Sequence, residues 1–377
     1  CYSPKIGFSC MNLAKMYQIA LTLLPKVGDV SAKKLIAYCG GAEAVFKESK
    51  KNLLLIPGIG SVIANSIVSQ DLLSVAEFEM TFMDQNNIKP IYFLDDDYSF
   101  RLKQCGDAPI LLYTQGTIDL NAKKIISIVG TRRATDYGKH STERLIEGLS
   151  DFDDVLVVSG LAYGIDIAAH KACLKYNVPT LAVLAHGLDR IYPQLHSQVS
   201  KEIQKQGGLI SDFMSGTPPN RENFPKRNRI IAGLADATLV VEARKKGGAL
   251  ITADIANSYS RDVFAVPGRV GDKNSEGCNN LIRRNQAALV QSSVDIGYLM
   301  NWDKEVPKNE GKQVSLFLDL DKDEQEVMGI LASKEKLNLD LIALHAKLSI
   351  PRIMQVLLQL ELKGFVRTLP GNLYAKT

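Results

Sequence analysis

From Lys124 to about Met300 the chain alternates short apolar runs with longer stretches of helical period. The apolar runs are KIISIVG, VLVVSG, TLAVLAHG, TLVVEA and DVFAVPG, each β-rich and each ending in glycine or a small residue. Short runs without polar alternation are what strands covered on both faces require. Helix-period segments lie between them, such as IDIAAHKACLKY from Ile165 to Tyr176. Strands alternating with helices predict βαβ units and a mostly parallel sheet, hence an α/β, Rossmann-like, three-layer core. Upstream, PIYFLDDDY and PILLYTQG are candidates for added edge strands.

The flanks have other patterns. Residues 12–70 look helical, and within them LLLIPGIGSVIANSI turns at Pro57-Gly58-Ile59-Gly60 into a second helix. Glycines there let helix-start N–H groups approach a phosphate without a Cβ in the way, as in a helix-hairpin-helix. LLPKVGDVSAKKLI, Leu23 to Ile36, reads as a weaker first copy. A plain helical hairpin packed on the rest of the protein fits the same residues, since this glycine spacing alone is a weak signal. Residues 301–317 are polar and contain proline and glycine, a linker composition. Beyond them three helical segments, the third capped by Ser349 and stopped by Gly364, precede the hairpin FVRTL-PGN-LYAK, which spells a winged helix. The predicted division is a helical domain over 11–75, a core over 85–300, a linker over 301–317 and a winged helix over 318–377.

Composition narrows the class. A chain of 377 residues, 46% hydrophobic and 23% charged, is ordinary for globular protein and long enough for two or three domains. The six cysteines show no CxxC pair and no metal-ligand spacing, which fits a reducing cytoplasm and no structural metal. No apolar run approaches the ~20 residues that cross a bilayer. Residues 1–10, CYSPKIGFSC, lack a signal-peptide apolar stretch and precede Met11, so they read as a translated leader or an expression remnant. The net charge of +4 says little, but its distribution says more. Residues 11–70 carry 7 basic against 3 acidic side chains and residues 122–300 carry 23 against 18, whereas 71–121 carry 3 against 9 and 318–377 carry 8 against 8. Basic charge is segregated into two regions.

Candidate chemistry sits at the junctions between strands and helices. FPKRNRIIAGLADATLVVEARKKGGALITADIA places a basic knot (Lys226, Arg227, Arg229) before a buried strand, with Arg244-Lys245-Lys246-Gly247-Gly248 directly after it. Ligands of open α/β sheets collect at the carboxyl ends of strands, and this density of cations calls for a polyanion. Gly130-Thr131-Arg132-Arg133 follows another strand and offers backbone amides with two guanidiniums, suited to a phosphodiester, although either arginine could serve a structural ion pair. It is neither a Walker A loop nor GxGxxG, so hydrolysis of nucleoside triphosphates is not expected. Ser159-Gly160-Leu161-Ala162-Tyr163-Gly164-Ile165-Asp166 leads to His170, and an i, i+4 Asp–His pair is either acid–base machinery or a buried brace. No GxSxG elbow accompanies it, which favours the brace. Gly187 to Pro193 makes a tight polar turn without a catalytic partner. Phe224, Tyr163, Tyr137 and Tyr192 share loops with the cations, as base-stacking platforms do.

The ordered set GTRRATDYG, VSGLAYGIDIAAH, AHGLDRIYP, FPKRNRIIAGLADATLVVEA, GGALITADIA and RDVFAVPG resembles the DNA-processing protein A family (DprA/Smf) over about Ile110 to Met300. The resemblance implies a helix-hairpin-helix-like or SAM-like N-terminal domain, an extended Rossmann core and a winged-helix end. It implies a cytoplasmic bacterial protein that binds and protects incoming single-stranded DNA as a homodimer. Such a protein loads the RecA recombinase onto that DNA in natural transformation, with no catalytic residue, metal or cofactor. Carried over by motif, the DNA-binding residues would be Gly130, Thr131, Arg132 and Arg133, then Ser159, Gly160 and Gly164, then Asn223, Phe224, Lys226, Arg227 and Asn228, and finally Gly247, Gly248 and Thr252. Where some members carry a basic residue after Tyr192-Pro193, this chain has Gln194, Leu195 and His196. A histidine there replaces a lysine only in part at neutral pH.

Two other readings remain open. A Rossmann-type enzyme of nucleotides, similar to phosphoribohydrolases, would use Glu242 beside the Gly247-Gly248 loop, but no acid–base pair with divergent environments accompanies it. A purely structural scaffold leaves the cations of three loops unexplained. The third helix of the winged helix would offer Ser349, Arg352, Gln355 and Gln359 to a major groove, yet it carries Glu361 and is mostly apolar. These features favour a protein-contact or dimer-accessory role over duplex reading.

Overall fold

A computed structural model describes residues 10–69, 72–302, 320–332, 337–369 and 373–376. Residues 1–9 of the segment 1–10 read as a leader or remnant, most of the expected linker 301–317 and the residues Pro370-Gly371-Asn372 lie outside them. The chain divides into two compact units, Cys1–Glu305 and Val306–Thr377.

The first unit is built on a nine-stranded sheet. In chain order its strands are β1 (Lys89–Tyr92), β2 (Leu111–Gly116), β3 (Lys124–Val129), β4 (Val155–Ser159), β5 (Thr180–Val183), β6 (Gly208–Ser211), β7 (Ala237–Val240), β8 (Asp262–Ala265) and β9 (Ala288–Leu289). In space the order is β1-β2-β6-β5-β4-β3-β7-β8-β9. Strands β6 to β9 in that spatial run are parallel, and β2 and β1 add antiparallel at one edge. The five apolar runs and both upstream candidates are thus strands of one Rossmann-like sheet. β6 escapes a sequence reading because its apolar run is only Leu209-Ile210 behind two glycines, and β9 because it spans only two residues.

Successive residues of the central strands face opposite cores, as the period of two demands. Ile126, Ile128, Val157 and Leu239 pack with the helices Asp136–Leu149 and Ile165–Lys175. Ile125, Val129, Val158 and Val240 pack with the helices Asn223–Leu234 and Gly248–Ser258. Both faces being covered explains why these runs show no polar alternation.

The N-terminal helices share a core with this sheet. Ile19, Leu35, Val45, Leu53, Ile67 and Met80 join Tyr92, Leu111, Tyr113 and Leu209 in a single apolar cluster. Polar ties reinforce the junction: Asp29 accepts from the Ile110 N–H at 2.9 Å, and Glu79 accepts from the Ser215 N–H at 2.9 Å. The Pro57–Gly60 turn does launch a helix, Ser61–Ser69, with Gly58 at φ +85.

In the second unit, helices Lys322–Ala332, Leu339–Ala346 and Ile350–Leu362 precede the paired strands Val366–Leu369 and Leu373–Lys376. Ser349 stands at the N-cap of the third helix but makes no capping bond with its side chain, and Pro351 in the first turn sets the helix start instead. Gly364, at φ +77, follows the helix end. No single helix among the described residues is long and apolar enough to cross a membrane.

Candidate functional site

The strand order reverses between β3 and β7, because β3 is followed by β4 on one side while β7 is followed by β8 on the other. Outside the carboxyl ends of those two strands lies a cleft of about 610 Å³, where doubly wound sheets hold ligands. Gly130, Thr131 and Arg132 enter it from the loop after β3, Ala162 and Asp166 from beyond β4, and Arg244, Lys246, Gly247 and Gly248 from the loop after β7. Phe224, Arg227 and Asn228 come from the helix Asn223–Leu234 and Thr252 from the helix Gly248–Ser258. Nine of the residues carried over by motif therefore meet in one cavity: Gly130, Thr131, Arg132, Phe224, Arg227, Asn228, Gly247, Gly248 and Thr252.

The exposed cations of the cleft are Arg132, Arg221, Arg244 and Lys246. Among the described residues, none of the four has a carboxylate at ion-pair distance; Arg244 donates instead to the Asn274 amide oxygen at 2.9 Å. The helix Gly248–Ser258 begins at the same place, and a Cβ on Gly247 or Gly248 would meet nothing within 4 Å. Its first backbone N–H groups and positive dipole end add to the field of the side chains. The Arg132 guanidinium lies over the Phe224 ring, 4.8 Å from its centroid, and Tyr192 meets that ring edge-on at 6.1 Å. A concave wall of free cations, helix-end amides and an aromatic face suits a strand of phosphodiesters with unstacked bases.

Arg227 is of another kind. It is 3% exposed and donates through Nη1 to the Gly160 carbonyl at 2.7 Å and to the Val183 carbonyl, bracing the ends of β4 and β5. Burial lowers its pKa to about 10, against the attraction of Asp166. The Asp166 carboxyl is pushed up by its own burial, with Arg227 opposing, and accepts from the Ala162 N–H at 3.4 Å. His170 is buried and shares a 2.8 Å hydrogen bond with the Thr180 hydroxyl. That hydroxyl already donates to the Val157 carbonyl, so the His170 Nδ1–H is the donor. Burial brings His170 down to about 3, and the ring is neutral at physiological pH. Asp166 and His170 thus serve separate braces, with no hydrogen bond between them among the described residues.

Several sequence expectations find different places. Ser159 is fully buried, its hydroxyl donating to the Ile128 carbonyl at 2.7 Å, so it ties β4 to β3. Asn223 is buried and donates to the Pro218 carbonyl at 3.1 Å. Gly160 faces the Arg227 guanidinium where a Cβ would collide, and Gly164, at φ +81, faces the Thr131 carbonyl; both shape the wall from behind. Arg133 and Lys226 are exposed but lie outside the cleft. Arg229, the third cation of the knot, is bound to Asp29 at 2.9 Å and Asp212 at 2.8 Å and joins the N-terminal helices to the core. The Tyr137 hydroxyl donates to the Pro267 carbonyl at 2.7 Å, away from the cleft. Glu242 accepts from the Thr135 N–H and hydroxyl, each at 2.9 Å, and does not line the cavity. His196 is buried, not part of a basic rim. Arg221 lines the cleft and was not singled out from sequence; its signal was a cation five residues before Lys226 in the same loop-to-helix segment.

The winged helix shows the reverse arrangement. Arg352 pairs with Asp323 at 2.7 Å and Lys363 with the buried Glu324 at 2.6 Å. Ile350, Met354, Leu358 and Leu362, spaced by four, are exposed along the third helix.

Comparison with known proteins places this architecture. A family model described as DNA recombination-mediator protein A matches residues 89–301, and one described as DprA winged helix domain matches residues 318–372. The chain is 32% identical to Protein Smf of Synechocystis sp. over 97% of its own length and 99% of that protein. It is 41% identical to DNA processing protein DprA of Streptococcus pneumoniae over 54% of its length and 71% of that protein. The solved structure of the pneumococcal protein superimposes with a TM-score of 0.66 at 32% identity, covering 76% of this chain and 98% of that one. A structure of DNA processing protein A from Helicobacter pylori, described for its single-stranded DNA binding mode, gives 0.52 at 27% identity over 57% and 97%.

Proposed function

The chain belongs to the DNA recombination-mediator protein A family, and from that premise we propose that it binds single-stranded DNA in the cleft between β3 and β7. As a homodimer it protects incoming strands and delivers them to the RecA recombinase in transformation, without catalysis of its own. The observation that carries the reading is the set of four exposed cations without carboxylate partners among the described residues, Arg132, Arg221, Arg244 and Lys246, around one helix N-terminus. The single-strand binding described for the Helicobacter pylori relative supports it. Phosphates run along the cations and the Gly247-Gly248 amides, and bases meet the Phe224 face.

A salt titration on single- and double-stranded oligonucleotides tests this. Single-strand affinity should fall with salt by a log–log slope of ~0.7 per phosphate contact and exceed duplex affinity at every salt concentration. Salt-independent binding, or a preference for duplex, would overturn it. The enzyme alternative loses support from the geometry of Glu242, whose carboxylate is engaged by Thr135 behind the cleft. Release of free base from nucleoside monophosphates by purified protein would revive it.

A further inference from the structure

The turn that joins β4 to the helix Ile165–Lys175 holds an unfavourable backbone. Leu161 sits at φ +55 with its side chain fully buried, a conformation that is sterically unfavourable for a non-glycine residue. Three residues on, Gly164 is also left-handed. Such strain persists only where surrounding groups over-determine the geometry. Here two consecutive carbonyls of the turn are gripped by buried side chains from distant segments. Arg227 donates to the Gly160 carbonyl at 2.7 Å, and the His196 Nδ1–H donates to the Leu161 carbonyl at 2.8 Å. His196 is 4% exposed, and its ring meets Tyr163 of the same turn edge-on at 5.2 Å.

The turn is coupled to the cleft. The Ile165 N–H donates to the Thr131 carbonyl at 3.2 Å, so the position of the turn sets the loop that presents Arg132, and Ala162 of the turn lines the cavity itself. We propose that His196 is a positioning residue for the binding cleft: it locks the Leu161 carbonyl in the strained turn and thereby aims the Thr131-Arg132 loop. The inference rests on single-strand binding in that cleft. His196 acts as a hydrogen-bond donor from Nδ1 to a buried carbonyl, not as a cation facing phosphate.

The test compares His196→Ala, His196→Asn and His196→Gln. Asparagine places an amide nitrogen where Nδ1 stands, whereas the longer glutamine carries its nitrogen toward the Nε2 position. His196→Ala should weaken single-strand binding about fivefold or more, the loss of one buried hydrogen bond, with an unchanged salt slope because no phosphate contact is removed. His196→Asn should restore the affinity to within about twofold and His196→Gln should not. Wild type and His196→Asn should keep the same relative affinity between about pH 6 and about pH 8. Normal binding by the folded alanine variant overturns the proposal, and so does wild-type binding that tightens at low pH while the asparagine variant stays flat. If the alanine variant does not melt cooperatively, the Asn and Gln pair decides: equal affinity overturns the proposal. Arg132→Ala is the control for the cleft itself. Unchanged binding in that variant refutes the site, whereas weakened binding there with full binding in His196→Ala refutes only the clamp.

Discussion

The cleft between β3 and β7 and the third helix of the winged helix are both places where a sequence reading puts nucleic acid, and they differ in what their cations touch. In the cleft, Arg132, Arg221, Arg244 and Lys246 have no carboxylate partners among the described residues and face a concavity. In the winged helix, Arg352 and Lys363 are held by Asp323 and Glu324, and the exposed stripe of the helix is Ile350, Met354, Leu358 and Leu362. The segment that builds the cleft carries an excess of basic side chains, 23 against 18 over residues 122–300, whereas residues 318–377 balance at 8 against 8. A polyanion site is therefore marked by cations left without partners on a concave surface, since an ion-paired cation has little field left to offer. A helix that shows apolar residues outward is suited to protein.

The comparison also holds within the core, between buried and exposed arginines, and there the largest effect is expected. Arg227→Ala would leave the Gly160 and Val183 carbonyls without their donor and Asp166 without its nearest buried cation. A loss of about 3 kcal/mol or more in chemical denaturation is expected. Arg352→Ala, which removes a solvent-screened pair, should cost far less. Similar losses for the two variants would break the distinction.

Acid sensitivity separates the same buried machinery from the surface. His170, with a pKa brought down by burial to about 3, resists protonation when folded and takes a proton readily when unfolded. Between the unfolded value, near 6.5, and that depressed value, the unfolded state binds more protons. The His170 contribution to stability is thus complete above pH ~6.5 and is lost as pH falls toward ~3, at up to ~1.4 kcal/mol per pH unit. Asp166 and Asp212, raised by burial, act with the opposite sign as pH rises through their folded pKa values. The measurable quantity is the difference between wild type and His170→Gln in denaturation series at several pH values. A constant difference across that window would show that His170 titrates alike in both states.

For the exposed cations the expected loss is in binding. Arg132→Ala and Lys246→Ala should each weaken single-strand affinity about tenfold, ~1.4 kcal/mol, and lower the salt slope by ~0.7. Melting temperatures should stay close to that of wild type, because neither side chain has an ion-pair partner among the described residues to lose. An unchanged slope would remove the residue in question from the phosphate path.

Much of this was legible in the sequence because strands covered on both faces leave unbroken apolar runs, and their ends mark the loops that carry ligands. Direction was not legible. Arg227 and Arg229 are two residues apart on one helix, about 200° around its axis, so one props the cleft from beneath while the other meets Asp29 and Asp212 on the far side. Ser159 looked available because its neighbours are glycine and loop, yet its hydroxyl turns back onto β3. His196 looked like a weakened lysine, but its neighbour is the Leu161 carbonyl, a residue 35 positions earlier in the chain. Arg221 lies outside the recognised motif string and joined the site only through folding.

The smallest effect is expected from removing the second region altogether. If the winged helix offers an apolar face to protein and keeps Arg352 and Lys363 in internal pairs, deletion after Asn301 should leave single-strand affinity within about twofold of wild type, ~0.4 kcal/mol or less. The same truncation should leave the homodimer intact by light scattering, since the proposed self-association belongs to the core. Two clefts in one dimer raise the effective concentration of sites along a strand. Substitutions in the core that yield monomers should therefore weaken binding to long oligonucleotides more than to short ones, and should abolish RecA filament assembly on coated DNA. Dimers lost on truncation, or a monomer that still supports RecA assembly, would reverse the roles assigned to the two regions. Replacing Leu358 and Leu362 by serine in the full chain separates the remaining possibilities: a protein-docking helix loses a partner-dependent activity with DNA affinity unchanged, whereas a groove-reading helix loses duplex binding.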